Sequence, residues 1–108
     1  MSEATCLRGL TTISFWAADV DAARDWYTRL LGVEPYFIQP PAPAPAAYIE
    51  FRIGDYQHEL GIIDRSYLPP GAGTKPGGTV AYWHVDDLIG TYEKVLAMGA
   101  TEYQPPTD

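Results

Sequence analysis

The sequence predicts an α+β fold made of two similar modules that each begin with a strand followed by a helix. A strand–turn–helix pattern runs from Thr11 to Gly32, and a weaker copy runs from Val80 to Gly99. Between them, two alternating apolar and polar stretches flank a Gly54-Asp55 turn and indicate a β-hairpin. The pattern therefore predicts β-α-β-β-β for the first module and a β-α-β second module that is incomplete at its C-terminal end.

The length of 108 residues and the hydrophobic fraction of 46% are typical of one domain with a core. We predict a single domain over residues 1–108. Its first module covers about 10–63, a linker rich in proline and glycine covers 64–78, and the partial second module covers 79–108.

The net charge of −7 argues against two classes of partner. An acidic surface repels nucleic-acid phosphates and anionic lipids, so we expect neither nucleic-acid nor membrane binding. Cys6 is the single cysteine, which excludes an internal disulfide and favours a reducing compartment. With no signal-peptide pattern and no apolar run of roughly 20 residues, the sequence predicts a soluble cytoplasmic protein.

The first module begins with a strand at about Leu10 to Ala17, where apolar and polar residues alternate. A helix is predicted over Val20 to Leu31 because apolar residues recur at helical spacing. Asp19 is suited to cap the start of that helix, and Gly32 can adopt the left-handed conformation that ends it. Val33 to Gln39 is rich in aromatic and β-branched residues, which predicts strand two.

A proline–alanine segment follows from Pro40 to Ala46. Proline fixes φ and removes the backbone donor, so we expect an extended, polyproline-like segment outside any sheet. It is either a surface loop or a flap over a pocket. Strand three is predicted over Tyr48 to Ile53 and strand four over Gln57 to Ile63.

The second module repeats the first signals. Strand five is predicted over Thr79 to Val85, and strand six over Thr101 to Gln104. Helix two is predicted over Leu88 to Met98, because Asp87 aligns with the earlier cap and Gly99 ends the apolar stripe.

The alternation gives the predicted sheet one apolar face, which fits helix one, and one polar and aromatic face. Normal twist would make the polar face concave. Its aromatic side chains either stack on a planar ligand or fill a dimer interface. The candidate ligand-binding residues on this side are Thr12, Ser14, Trp16, Tyr48, Glu50 and Arg52, with Tyr82 and His84 on strand five.

Several blocks of the sequence resemble the vicinal oxygen chelate superfamily, the group of glyoxalases, bleomycin-resistance proteins and extradiol dioxygenases. The resemblance covers about Leu10 to Gln104 and implies paired modules that form a cup around a small ligand. It also implies, in many members, a divalent metal that acts as a Lewis acid. The blocks are DVDAARDWYTRLLG (Asp19–Gly32), HELG (His58–Gly61), GGTVAYWHVDDL (Gly77–Leu88) and MGA (Met98–Ala100).

The metal-ligand positions of that superfamily fall on Thr12, Glu59 and Val80. Glu59 is the one ordinary metal ligand of the three, so the resemblance does not imply a metal site built by this chain alone. Glu59 is instead a candidate general base, or a lone ligand completed by a partner chain, or the ion-pair partner of Arg52, or a solvated residue at the rim. The neighbouring His58 points to the other face of its strand.

The function predicted from the sequence is that of a small-molecule-binding protein that holds a flat compound in the cup without a cofactor. One alternative is a metal-dependent glyoxalase-like lyase, isomerase or dioxygenase that uses Glu59. Another is a structural or regulatory module without a ligand. Unpaired backbone on strand six would template pairing with a second chain, so a homodimer is expected.

Overall fold

The computed structural model describes residues 6–73, 75 and 77–107. The chain divides into two compact units, residues 1–70 and 71–108. The fold is α+β, as predicted, with a four-stranded sheet in the first unit. The elements are β1 (Thr12–Ala17), α1 (Val20–Leu31), β2 (Phe37–Gln39), β3 (Tyr48–Ile53), β4 (His58–Asp64), a 3-10 turn (Arg65–Tyr67) and α2 (Leu88–Ala97).

The strand order of the first unit is β1-β4-β3-β2. β1 runs parallel to β4, with Thr12 opposite Glu59. β3 and β4 form the predicted hairpin, and β2 pairs antiparallel to β3 with Phe37 opposite Glu50. The first two strands of the unit therefore lie at opposite edges of the sheet, separated by the hairpin.

The signals at both ends of α1 act as predicted. The Asp19 carboxylate accepts a hydrogen bond from the Ala22 backbone N–H at 3.0 Å. At the other end, Gly32 has a φ of 73° and its N–H donates to the Thr28 carbonyl. Because only glycine adopts this φ freely, the helix ends where the sequence predicts.

The core of the first unit lies between α1 and the apolar face of the sheet. Phe51 and Ile49 are 0% exposed and Ile62 is 1% exposed. Their strands alternate these side chains with polar ones, so one face is buried while the other stays available. The buried hydrophobic residues are Val20, Ala46, Ile49, Phe51, Leu60 and Ile62.

Three strand bounds differ from the prediction because a strand extends only as far as its partner. β1 starts at Thr12 rather than Leu10, since its pairing with β4 starts at Glu59. β2 is limited to Phe37–Gln39, the stretch opposite the first residues of β3. β4 is shifted by one residue and covers His58–Asp64.

The segment from Pro40 to Ala46 lies outside the sheet, as predicted, but its predicted extended conformation is wrong. It turns at residues 42–43, and the Ala47 N–H donates to the Gln39 carbonyl at 2.9 Å. The segment joins two antiparallel strands, so it has to reverse direction. Its Gln39-Pro40 and Ala42-Pro43 bonds are cis.

In the second unit, the predicted strands five (79–85) and six (101–104) are not formed; both stretches are described and are irregular. The first unit suggests the reason. Its first two strands lie at opposite edges of the sheet, and they are paired only with β4 and β3, which have no counterparts among the described residues of the second unit. A β-α-β pattern alone gives neither edge a partner, and an unpaired strand leaves its backbone groups unsatisfied.

α2 forms without such partners and covers Leu88–Ala97, one residue shorter than predicted. The Asp87 carboxylate accepts from the Gly90 N–H at 2.9 Å, the counterpart of the cap on α1. Gly99 follows the helix with a φ of 96°. In the part of the chain that the structure describes, every helix is too short or too polar to cross a membrane.

Candidate functional site

The polar face of the first unit is the side of the sheet opposite α1. Pairing and alternation place Phe37 and Gln39 of β2 there as well, opposite Glu50 and Tyr48. Seven residues singled out from the sequence lie on this face: Thr12, Ser14, Trp16, Tyr48, Glu50, Arg52 and Glu59.

Two further candidates belong to the second unit. Tyr82 is 92% exposed and His84 is also exposed, both in the irregular stretch that replaces strand five. Their predicted role in ligand binding therefore stays a prediction, and the site described below is that of the first unit.

Glu59 lies at the centre of a hydrogen-bonded cluster, and its side chain is 18% exposed. One carboxylate oxygen, Oε1, accepts from the Thr12 hydroxyl at 2.8 Å. The other, Oε2, accepts from the Tyr36 hydroxyl at 2.8 Å and lies 3.7 Å from Nε of Arg52. The ion pair with Arg52, one of the predicted interpretations of Glu59, is present in this geometry.

Glu50 is the second carboxyl group of the cluster. Its Oε1 accepts from the Tyr48 hydroxyl, and its Oε2 contacts the Tyr36 hydroxyl. Burial raises the pKa of Glu50, the negative charge of Glu59 and a hydrogen bond with that carboxyl group raise it further, and Arg52 opposes these effects. The two acids are therefore electrostatically coupled.

Tyr36 is a member of the cluster that the sequence analysis missed. Its hydroxyl lies between the two carboxyl groups, and the Arg52 guanidinium lies 4.0 Å from the centre of its ring. Alternation through a strand starting at Val33 would place Tyr36 with Ile38 on the apolar face. Because β2 begins only at Phe37, alternation does not govern Tyr36, and no periodic signal identifies it.

Gly61 leaves room for the side chains that converge over β4. A Cβ atom at this position would lie 2.6 Å from the Ser14 hydroxyl oxygen and 2.6 Å from the Tyr48 hydroxyl oxygen. A side chain at position 61 would therefore force the Ser14 and Tyr48 hydroxyl groups to move. Glycine thus allows the Tyr48 hydroxyl to lie over β4, beside Ser14, while it bonds to Glu50.

Exposed aromatic rings border this polar cluster. Trp16 on β1 is 42% exposed, and Tyr36 and Phe37 on the β2 side are each 44% exposed. The Phe37 ring packs edge-on against Tyr48, with their centres 6.2 Å apart. Aromatic surface at the border and hydrogen-bonding groups in the middle are the features that small-molecule sites combine.

Comparison with known families identifies the class of protein to which this chain belongs. Residues 9–108 match the Glyoxalase/Bleomycin resistance protein/Dioxygenase superfamily. The chain belongs to this superfamily, and the resemblance noted from the sequence is confirmed. None of the curated proteins matches the chain.

Two solved structures are similar to this chain. The solution NMR structure of protein ATC0852 from Agrobacterium tumefaciens has a TM-score of 0.73 and 21% identity, covering 94% of this chain and 80% of that chain. The crystal structure of TioX from Micromonospora sp. ML1 has a TM-score of 0.60 and 20% identity, covering 93% and 80%. At these identities the likeness shows the fold alone.

The divalent metal found in many members of this superfamily does not fit the residues on the polar face. Within residues 6–73, 75 and 77–107, no three His, Cys, Asp or Glu side chains are grouped so that they could hold a metal ion. Both Glu59 oxygens already accept hydrogen bonds, and the Arg52 cation lies beside one of them. His58 is exposed and stacks on Tyr56, with ring centres 5.9 Å apart. The predicted ligation of a metal by Glu59 therefore has no support in this donor set.

Proposed function

We propose that this protein binds a small planar organic molecule on the polar face of its first unit. The observation that supports this most directly is the combination on one face of exposed rings at both borders with a polar cluster between them. Trp16 lies on one edge strand and Phe37 on the other. The opposite face is closed by α1 and contains the core.

The chemistry of the cluster defines what such a ligand would meet. Glu50 and Glu59 offer carboxyl oxygens, Arg52 offers donors, and Tyr48 offers a hydroxyl group. Since the Arg52 side chain is 51% exposed, its guanidinium can turn toward a ligand. We therefore expect a ligand with a flat ring system and polar substituents on one edge, held by stacking and a few hydrogen bonds.

Binding is proposed ahead of catalysis because of the state of Glu59. A general base must lie within hydrogen-bond distance of the proton that it removes, and each donor or cation that already stabilises a carboxylate makes it a weaker base. In Glu59 the oxygens are engaged by Thr12, Tyr36 and Arg52. The lyase, isomerase and dioxygenase alternatives thus have no specific observation in their favour.

We also propose that the protein forms a homodimer in the cytoplasm, although not by the strand-six pairing expected from the sequence. β1 and β2 are the edge strands of the sheet in the first unit, and an edge strand can pair with a strand of a second chain. A second copy that covered the exposed aromatic border would remove apolar surface from water, which favours dimer formation. Size-exclusion chromatography with light scattering tests this, and a monomer at micromolar concentration would contradict it.

Fluorine NMR on protein labelled with 5-fluorotryptophan tests ligand binding at the proposed place. The chain has three tryptophans: Trp16 on the polar face, Trp26 on α1 and Trp83 in the second unit. Planar compounds that raise the melting temperature in a screen are expected to shift the Trp16 resonance and leave that of Trp26 unchanged. Trp26 is thus an internal control on the far side of the sheet.

Two results would contradict the proposal. The first is a diverse screen of planar polar compounds that yields no hit. The second is a set of hits that shift Trp26 or Trp83 but not Trp16, which would assign binding to another part of the chain. Trp16→Leu is the confirming variant, expected to weaken binding about fivefold from the loss of one stacking contact worth about 1 kcal/mol.

A further inference from the structure

The two edges of the sheet in the first unit differ in how well they are protected from pairing with a second chain. β2 has three residues, and Pro35 and Pro40 stand close before and after it. β1 has six residues and contains neither a proline nor a charged side chain. Short length, proline and charge are the features that keep edge strands from pairing with other chains. β1 is therefore the unprotected edge.

The side chains of β1 are incompletely covered within one copy of the chain. Ile13 lies on the same face as the core, yet it is 37% exposed. The reason is that α1, which covers this face, packs mainly against β3 and β4. On the polar face of the same strand, Trp16 is 42% exposed. A neighbouring strand along β1 would thus bury further apolar surface on both faces.

We propose that two copies of this chain pair antiparallel along their β1 strands, and that the Trp16 of each copy extends the polar face of the other. This pairing rests on the homodimer and the ligand face proposed above, and it specifies the edge and the shared residue. It would satisfy the backbone N–H and C=O groups of β1 that point away from β4. A two-fold axis perpendicular to the sheet would relate the copies, so that both polar faces lie on the same side.

The alternation of side chains limits the register of this pairing. Residues directly opposite each other in an antiparallel pair point to the same face, so each β1 residue has to meet one from its own face. An axis at Ser14 meets this condition and places Ile13 opposite the partner's Phe15. An axis at Phe15 also meets it but would give Ile13 only the small side chain of Ala17. The axis at Ser14 therefore buries more apolar surface.

The charges on either side of β1 favour antiparallel over parallel pairing. Arg8 precedes the strand, Asp19 and Asp21 follow it, and all three are exposed. Antiparallel pairing brings the start of one strand to the end of the other, so Arg8 approaches the partner's Asp19 and Asp21. Parallel pairing would bring each of these charges to its own copy. Because like-charge contacts are costly whereas exposed ion pairs add little affinity, the charges select the orientation.

The register with the axis at Ser14 brings an aromatic ring from the partner to the polar cluster. Thr12 lies opposite Glu59 on β4, and the partner's Trp16 would lie opposite Thr12 on the other side. Two strand spacings then separate the partner's Trp16 from Glu59, a distance of roughly 10 Å. Trp16 of the same copy is about 13 Å along β1 from Thr12. A planar ligand at Glu59 would thus be closer to the partner's Trp16, and the site is shared between subunits.

Disulfide cross-linking of the ligand-free protein tests the register, because two cysteines can be linked only when their Cα atoms lie within about 7 Å. Cys6, the single cysteine of the chain, is first replaced by serine. In that background, Ser14→Cys should give a covalent dimer on oxidation, since residue 14 lies opposite its own copy. Non-reducing gel electrophoresis measures the covalent dimer.

Thr12→Cys and Trp16→Cys are the matched controls on the same face of the same strand. Each should stay unlinked alone, because its own copy lies about 13 Å away. A mixture of the two variants that has exchanged subunits should cross-link, because Thr12 meets the partner's Trp16. The proposal is overturned if Ser14→Cys does not cross-link, or if the single variants cross-link as readily as the mixture.

Ile13→Lys and Ile38→Lys compare the two edges directly. These isoleucines are 37% and 36% exposed, and both lie on the α1 side of an edge strand. A lysine on β1 should convert the dimer to a monomer, because pairing would bury its charge, whereas a lysine on β2 should leave the dimer intact. Light scattering after size-exclusion chromatography measures the mass, and circular dichroism checks that each variant is folded. An Ile13→Lys protein that is folded and dimeric would overturn the β1 pairing.

The outcomes distinguish the β1 pairing from the function proposed above. A monomeric wild type would contradict the homodimer and the β1 pairing together, which is also the result expected if another segment of the same chain occupied the β1 edge. A dimeric wild type that fails the cross-linking test would overturn the β1 pairing alone. The screen with labelled tryptophan is a separate test, because the cross-links form without any ligand.

Discussion

The two helices begin from the same local signal and end in different surroundings. α1 and α2 each start after an aspartate whose carboxylate accepts a backbone N–H of the first turn, and each is followed by a glycine with positive φ. α1 packs on a sheet, and every buried hydrophobic side chain among the described residues belongs to the first unit. Capping residues thus determine where a helix starts and stops, whereas a core requires strands that have partners.

Removing a core side chain should give the largest difference between the two units in the free energy of unfolding. Phe51→Ala deletes a side chain that is 0% exposed, and we expect a loss of about 3–5 kcal/mol in the free energy of unfolding. Val95→Ala, on the partly buried side of α2, should change it by well under half as much. Urea unfolding followed by circular dichroism measures both, and equal losses would show that the second unit has a core of its own.

Filling the space at Gly61 should have the next largest effect. Gly61→Ala places a methyl group 2.6 Å from the hydroxyl oxygens of Ser14 and Tyr48. We expect a loss of about 1–3 kcal/mol together with weaker ligand binding in the Trp16 assay. Gly77→Ala is the control, because its added Cβ atom meets nothing within 4 Å. If both variants behave like the wild type, the Ser14 and Tyr48 side chains do not pack closely over Gly61.

Deleting the caps gives the smallest effect and compares the two helices directly. Asp19→Ala should lower the free energy of unfolding by about 1 kcal/mol, because α1 is part of the cooperative core. Asp87→Ala should leave that value nearly unchanged and speed amide hydrogen exchange within α2. A global loss from Asp87→Ala as large as that from Asp19→Ala would mean that both units unfold together.

The comparison also explains which parts of the fold were predictable from the sequence. The bounds of α1 and of β3 agree with the prediction because caps, periodicity and the hairpin turn are local. The predictions of strands five and six were wrong, because alternation in Thr79–Val85 does not show whether a neighbouring strand exists to pair with it. The conformation of Pro40–Ala46 was missed because composition does not show that its ends must meet.

The site was predictable in part for the same reason. Alternation brought Thr12, Glu50 and Glu59 to one face once their strands were identified. It could not assign Tyr36, which lies just outside the ladder and reaches the carboxyl groups through its ring. Phe37 was missed as well, since its position on the polar face follows from the register with β3 rather than from its own sequence.

The parallel pairing of β1 with β4 has a consequence for how the first unit assembles. Thr12 and Glu59 are 47 residues apart in the chain and meet only when a long loop closes. The β3–β4 hairpin closes over residues 54–57 and can form first. We therefore expect β1 to dock late in folding. The last step of assembly would then bring Thr12 to Glu59 and complete the proposed binding surface, so on this proposal a nascent chain could not bind a ligand before the sheet is complete.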